Sequence, residues 1–434
     1  MPSRSNLPTS LSSLLAPFRI LFRAPSYTTF CALVAGFLVH PGERNVCGML
    51  AGAGLAQRWH HSRAHRFFSK VPWSTDSLGL LLANLIVKTL VPAGVAILLV
   101  VDDTLMHRTG RKVFGALWCH DGSVTGPKPI RFGNCFVVVG IVVTLPFCNR
   151  PVCLPVLVAL WQKGESKVAS ARRLVELLSH QCPERTIHVV GDAAYASQAL
   201  RGLPDNVTWT SRLRKNAALY RVAPGRTGKR GRPRTKGDRL PQLAQLAVSM
   251  PWAVAEVTRY GTTIPVELAH RRCHWYTPFG PQVVQLVMVR ELDHPGYGVA
   301  LISTDLRATA PEIVERYASR WSIEVAFEEA KQITGVGEAR NRTEQAVRRT
   351  VPFGFTCQSL LWLWYASSLH DEAVVADRRW RAPWYRTKET PSTLDLLITA
   401  RRVLIAARFM PGQPTQPTPA EIRQVQQAWE LAAA

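Results

Sequence analysis

Acidic residues are scarce in this chain: 30 Asp and Glu stand against 53 Lys and Arg in 434 residues, a formal net charge of +23. An excess of that size excludes an acidic surface and asks for a polyanionic partner, nucleic acid first. Paired cysteines are missing too. The nine cysteines are scattered singly. The closest pair, Cys148 and Cys153, has no second pair and no histidine pair to complete a zinc site. They read as reduced, mostly buried cytosolic thiols. No run is apolar enough for a membrane span: Lys88, Pro92 and Gly94 interrupt Leu80–Val101, and Arg23 and Pro25 interrupt Ile20–Val39, which has no signal-peptide layout. Internal repeats are absent. What is left is a soluble, cytoplasmic chain, 47% hydrophobic, too long for one simple core.

Five regions are expected. Residues 1–94 read as a helical domain, and its densest basic–aromatic stretch, Arg58–Phe68, suits DNA contacts as well as it suits a solvated helix face. In residues 95–213 short apolar runs alternate with helical spacing. Ala96–Val101 and Thr186–Val190 read as buried strands that end at Asp102-Asp103 and at Gly191-Asp192. Lys112–Cys119, Phe136–Leu145 and Asn206–Arg212 are further strands, and Ser166–Ser179 is a helix. Residues 214–305 open on a Gly/Pro/Arg-rich segment and continue as short β-like runs, a mainly β insertion. Residues 306–370 return to helix, with Pro311 suited to a first helical position, and 371–434 form a basic, helical C-terminal region.

Tyr317, Arg320, Glu324 and Lys331 recur at spacings that return to one azimuth of a helix, so a single continuous helical face is expected to carry all four. A carboxylate flanked by a phenol, a guanidinium and an ammonium suits a metal-bound phosphate with an anionic strand lying along it. Glu328 shares the face and reads as an ion-pair partner for a neighbouring base. Asp102-Asp103, Asp192 and Glu324 are then three carboxylate sites that a sheet and a packed helix can bring together. Each alone reads as a turn or helix cap. Together, in a basic protein, they would repel one another unless divalent cations lay between them, and all-oxygen ligation selects Mg²⁺ or Mn²⁺. Two such ions stabilise the attacking and leaving oxygens of a phosphoryl displacement.

In these residues the chain resembles the DDE transposases of bacterial insertion sequences, in the group marked by a Y-(2)-R-(3)-E-(6)-K signature. Tyr317, Arg320, Glu324 and Lys331 match that signature without a gap. Val101-Asp102-Asp103-Thr104 resembles the family's first-aspartate strand, Val190-Gly191-Asp192-Ala193-Ala194-Tyr195 its second, and Leu301–Asp305 is also familial. The resemblance spans about residues 95–350. It implies an α/β fold: an RNase H-like core, a mixed sheet with flanking helices, interrupted by a mainly β insertion and preceded by the helical N-terminal domain. It implies catalysis by Asp102 or Asp103, Asp192 and Glu324, with Asp102, Asp192 and Glu324 as metal ligands. Asp102 is favoured and Asp103 stays open beside it. Tyr317, Arg320 and Lys331 would contact phosphates. The implied activity is Mg²⁺-dependent hydrolysis and strand transfer at terminal inverted repeats of double-stranded DNA, by a nucleoid-associated homodimer. The alternatives are a catalytically silent DNA-binding protein and a nuclease without joining activity.

Between Arg226 and Arg239 lie seven basic residues and one acid. Arg230-Gly231-Arg232-Pro233 resembles a minor-groove hook, with Arg230 and Arg232 as DNA contacts; a solvated loop is the alternative. His120, Asp121 and Glu165 read as surface or turn residues.

Overall fold

The structure is a computed structural model that describes residues 7–122, 127, 129–225, 234–409, 423 and 426. Its centre is one ten-stranded sheet. Its strands are β1 (Ile97–His107), β2 (Leu117–His120), β3 (Ile130–Val143), β4 (Val152–Leu160), β5 (Ile187–Gly191), β6 (Val207–Arg212), β7 (Ala253–Arg259), β8 (Thr262–His274), β9 (Val283–Arg290) and β10 (Val299–Ser303). The spatial order is β2-β3-β1-β5-β6-β10-β9-β8-β7, with β4 beside β3. β3 runs antiparallel to β1 and β4, while β5 and β6 run parallel to β1. With helices on the sheet, this is the mixed α/β, RNase H-like arrangement.

Three features differ from the sequence expectation or go beyond it. β1 does not stop at the aspartates: it continues to His107, so Asp102 and Asp103 are mid-strand residues paired with Val138 and Val137 of β3. Alternation then decides where each points. β4 was not expected, because Pro155 removes a ladder donor. Among the described strands β4 pairs only with β3, and the register of that pair shifts at Val139/Gly140, where Pro155 lies; edge strands and bulges are where proline is tolerated. The third feature is where the β strands of the insertion go, which the sequence leaves open. β10 pairs with β6 on one side and β9 on the other, so the insertion prolongs the core sheet.

The N-terminal helices are α1 (Thr9–Leu15), α2 (Ala24–Val39), α3 (Val46–Gly52), α4 (Ser62–Ser69) and α5 (Thr75–Leu90). α6 (Lys167–Gln181) is capped by Ser166; α7 (Leu243–Ser249) and α8 (Tyr276–Phe279) are short. α9 (Ala310–Ala318) and α10 (Trp321–Gln332) are followed by α11 (Glu344–Trp364), α12 (Ala373–Arg381) and α13 (Thr393–Phe409). α11 is apolar nearly all round, as a helix buried on every side must be. It packs on β4, α5, α4, α2 and α13. Phe353 meets Phe30, Phe37, Phe67 and Phe68 edge-on. Of the Arg58–Phe68 stretch, Phe67 and Phe68 are therefore core, whereas Arg58, His60, His61, His65 and Arg66 are exposed. The helix expected near residue 419 lies almost wholly outside the described residues.

Arg349 of α11 locks these layers. It is 5% exposed and donates to the carbonyls of Phe68, Val71 and Trp73 at 3.3, 2.6 and 2.6 Å, with its guanidinium over the Trp73 ring. Arg349→Ala would leave buried carbonyls unpaired, each worth about 1–3 kcal/mol. It is expected to lower unfolding stability by roughly 3 kcal/mol or more, read from the midpoint of urea denaturation; a loss under 1 kcal/mol would contradict the clamp.

Candidate active site

The parallel register of β1 and β5 pairs Val101 with Gly191, so Asp102 and Asp192 are neighbours at the next step. Gly191 is required by a close approach: a Cβ there would lie 2.8 Å from the Tyr195 Cβ. Asp192 begins the turn after β5, and its Oδ1 accepts from the Ala194 and Tyr195 amides at 2.7 and 3.2 Å. The turn-cap reading of Asp192 is thus real but uses one oxygen. Among the described residues, Oδ2 makes no hydrogen bond.

Adjacent residues of a strand face opposite ways, and the aspartate doublet does so. Asp102 Oδ2 accepts from Arg320 Nη1 at 3.0 Å, while Arg320 Nη2 donates to Glu324 Oε1 at 2.5 Å. Arg320, with only 15% of its side chain exposed, therefore bridges Asp102 and Glu324. Burial works against the Arg320 charge, yet Asp102 and Glu324 outweigh it and raise the guanidinium's proton affinity. Asp103 has a different set of partners. Its Oδ2 accepts from Lys167 Nζ at 2.6 Å and from Cys135 Sγ at 3.2 Å, and its Oδ1 accepts from the buried Tyr195 hydroxyl at 3.0 Å. Because Tyr195 also belongs to the Asp192 turn, Asp103 ties β1 to that turn.

The signature residues are not on one uninterrupted helix. α9 ends at Ala318 and α10 starts at Trp321, with a tight turn at Ser319-Arg320 closed by hydrogen bonds from Arg320 N to Tyr317 O and from Ile323 N to Arg320 O. The backbone stays right-handed through the turn. Arg320 lies 6.0 Å from the half-buried Tyr317 ring and reaches Glu324 one turn later. Lys331, in the last turn of α10, is an exposed residue; desolvation by the surrounding protein lowers its proton affinity and Asp121 opposes this. Glu328 is exposed and has no ion pair among the described residues. It is Glu329 that pairs with Arg150, at 3.2 Å.

Asp121 is no surface residue. It is 4% exposed and its Oδ2 lies 2.6 Å from His107 Nε2 at the end of β1. The only sequence signal for it was its isolation: between Asp103 and Glu165 there is no other acid. Arg230 and Arg232 lie outside the described residues.

Asp102, Asp192 and Glu324 offer an all-oxygen donor set fit for a hard divalent cation. As they stand, no three acidic, histidine or cysteine side chains among the described residues close into a ligand cluster, and Arg320 occupies the gap. Asp102 is nevertheless short of positive charge. Burial pushes its pKa from 3.8 up to about 7, against Arg320 and the Asp103 amide that donates to its Oδ1, with the Asp192 and Asp103 carboxylates adding to the rise.

A mixed sheet of this topology, flanked by helices, defines the RNase H-like class. The family model described as DDE superfamily endonuclease matches residues 18–278, and the chain belongs to that family. No curated protein matches the chain. Among the described residues no helix is long and apolar enough to cross a membrane.

The Asp102 shift has a signed consequence. Its folded pKa lies above its unfolded one, so folding is penalised where the carboxylate is charged: fully above about pH 7, and not at all below about pH 4. In EDTA, Asp102→Asn is expected to raise the melting temperature by about 5 °C at pH 8, with the gain shrinking as pH falls and gone near pH 4. A gain of equal size at both pH values would refute this.

Proposed function

We propose that the chain is a DNA transposase that uses Asp102, Asp192 and Glu324 to hold divalent cations, Mg²⁺ or in its place Mn²⁺, two per site. The observation that carries this reading is the β1–β5 register, which sets Asp102 beside Asp192 at the end of the neighbouring parallel strand, with Glu324 joined to Asp102 through Arg320. When bound, the cations supply Lewis-acid stabilisation of the attacking and leaving oxygens of phosphodiester cleavage. The protein's own residues supply the rest. Arg320 is poised to leave its two carboxylates for a phosphate oxygen, a bidentate exchange that guanidinium geometry favours. Tyr317 and Lys331 contact the backbone on either side. Asp103, held by Lys167, Cys135 and Tyr195, is a positioning residue in this reading and not a ligand.

The substrate would be double-stranded DNA at the element's terminal inverted repeats, cut by water and then joined to target through the freed 3′-hydroxyl. Bringing two ends together calls for a homodimer. Residues 1–94 would supply helical DNA contacts, 95–213 and 306–370 the catalytic core, 214–305 the insertion, and 371–434 a basic flank. Arg230 and Arg232 would add phosphate or minor-groove contacts.

Incubation with Mg²⁺, a donor bearing the repeats that flank the reading frame, and a target plasmid tests this. Cleavage with joined product is expected. Cleavage alone selects a nuclease, and binding alone a silent protein. Glu324→Gln, Asp102→Asn and Asp192→Asn are each expected to reduce cleavage at least about 10³-fold with DNA binding retained. Asp103→Asn is expected to lower it far less, by about tenfold. A fully active Glu324→Gln variant would sink the assignment. Independently of activity, Mg²⁺ is expected to raise the melting temperature of the wild type at pH 8 but not that of Asp102→Asn.

A further inference from the structure

The outer end of β3 forms a hairpin with β2, and its side chains are not used by the chemistry at Asp102. β-Sheet register relates the two places. Asp102, Thr104 and Met106 pair with Val138, Phe136 and Asn134, while Trp118 and His120 pair with Phe132 and Ile130. Paired residues share a face and alternate along the strand. Trp118, His120, Ile130 and Phe132 therefore project from the same face as Asp102. Phe132 is six residues along β3 from Val138, a distance of roughly 20 Å.

The hairpin surface is open and one-signed. Trp118 is 70% exposed and Ile130 47% exposed, with His120 exposed between them. Phe132 supports the Trp118 ring at a centroid distance of 5.6 Å, so the indole is held in place while most of it faces solvent. From residue 104 to residue 164 there are seven Lys and Arg and one acid, Asp121. Asp121 is buried against His107 and shows no charge at the surface. Arg111 and Lys112 are exposed in the turn that leads into β2.

We propose that the β2–β3 hairpin is a second DNA-contacting ledge, which engages the duplex about six base pairs from the phosphate held at Asp102. The spacing follows from roughly 20 Å of sheet and about 3.4 Å per base pair. Trp118, His120 and Ile130 enter a groove as a two-stranded ribbon, a shape the major groove admits. Arg111 and Lys112 meet the flanking phosphates. This rests on the DNA-cleaving reading above and deepens it, by saying where the duplex runs after the site. A second copy of the chain is the poorer occupant. It carries a net charge of +23 as well, and the ledge offers no exposed acid among its described residues to meet it.

The test uses the full-length protein and a fluorescent 30-base-pair duplex, with affinity read by anisotropy across a salt series. Trp118→Ala combined with His120→Ala is expected to raise Kd about tenfold, with an unchanged melting temperature because both side chains are exposed. Lys112→Ala is expected to make the salt slope shallower by about one. A double variant within twofold of the wild type overturns the ledge. So does a double variant whose sedimentation changes without DNA while its DNA affinity stays intact, which would assign the surface to a second copy. A wild type with no affinity for any duplex at low salt overturns the DNA-cleaving reading itself, and the ledge with it. A wild type that binds and cleaves beside an unaffected double variant overturns the ledge alone.

Discussion

The parallel pairing of β1 with β5 is the constraint on which the candidate site depends. A single register, Val101 against Gly191, brings Asp102 beside Asp192 and, by alternation, sends Asp103 to the other side of the sheet. A slip of one residue would exchange the two aspartates and present Asp103 to α10, parted from Lys167 and Tyr195. The register is held by burial on both faces: Leu99, Val100, Val101, Val189 and Val190 are all fully buried. It is also held by the Asp103–Tyr195 bond, which joins the strand of one aspartate to the turn of the other. The doublet thus divides two tasks between adjacent residues, one carboxylate facing the site and one fastening its frame.

Arg320 answers the electrostatic problem that this pairing creates. Two carboxylates on neighbouring strands and a third on a helix cannot lie together in a half-buried cleft without a counterion. The guanidinium supplies it, but incompletely, since burial still lifts the Asp102 pKa to about 7. Even with Arg320 in place, Asp102 holds a proton more readily than a free carboxyl does. The Arg320 bridge also explains the break between α9 and α10. The tight turn at Ser319-Arg320 sets Arg320 at the mouth of α10, from which one fork reaches Asp102 on the sheet and the other reaches Glu324 on its own helix.

Much of this was legible in the sequence because it is local. Apolar runs such as Thr186–Val190 marked a buried strand, Ser166 and Pro311 marked helix starts, and the spacing of Tyr317, Arg320 and Glu324 marked residues that lie close around Arg320. What was not legible depends on partners distant in the chain. The end of β1 could not be read, because two aspartates look like a strand terminus unless β3 is known to pair through them. β4 was hidden by Pro155, which is acceptable only because β4 lies beside β3 alone among the described strands. Asp121 looked like a turn residue until His107 was found against it, and Glu328 took the ion pair that belongs to Glu329. Charge pairs within one helix, such as Arg320–Glu324, are legible from spacing, whereas pairs with residues distant in the chain, such as Glu329–Arg150, are not.

The insertion changes how the sheet works mechanically. Since β10 joins β6, the strands from β7 to β2 form one hydrogen-bonded surface that runs from the insertion strands to Asp102. Features on such a surface keep fixed separations set by residue rise and register. A substrate that touches the sheet at two places is therefore measured, not just held. In the proposed reading a duplex, whose own rise is equally fixed, would meet two contacts on one face, and these would define both the position of the bond over Asp102 and the direction in which the helix leaves it. Flexible basic tails raise affinity without giving that information. A chain with +23 net charge gains affinity almost anywhere on its surface, so it is rigid spacing, and not charge, that can choose which phosphate is cut.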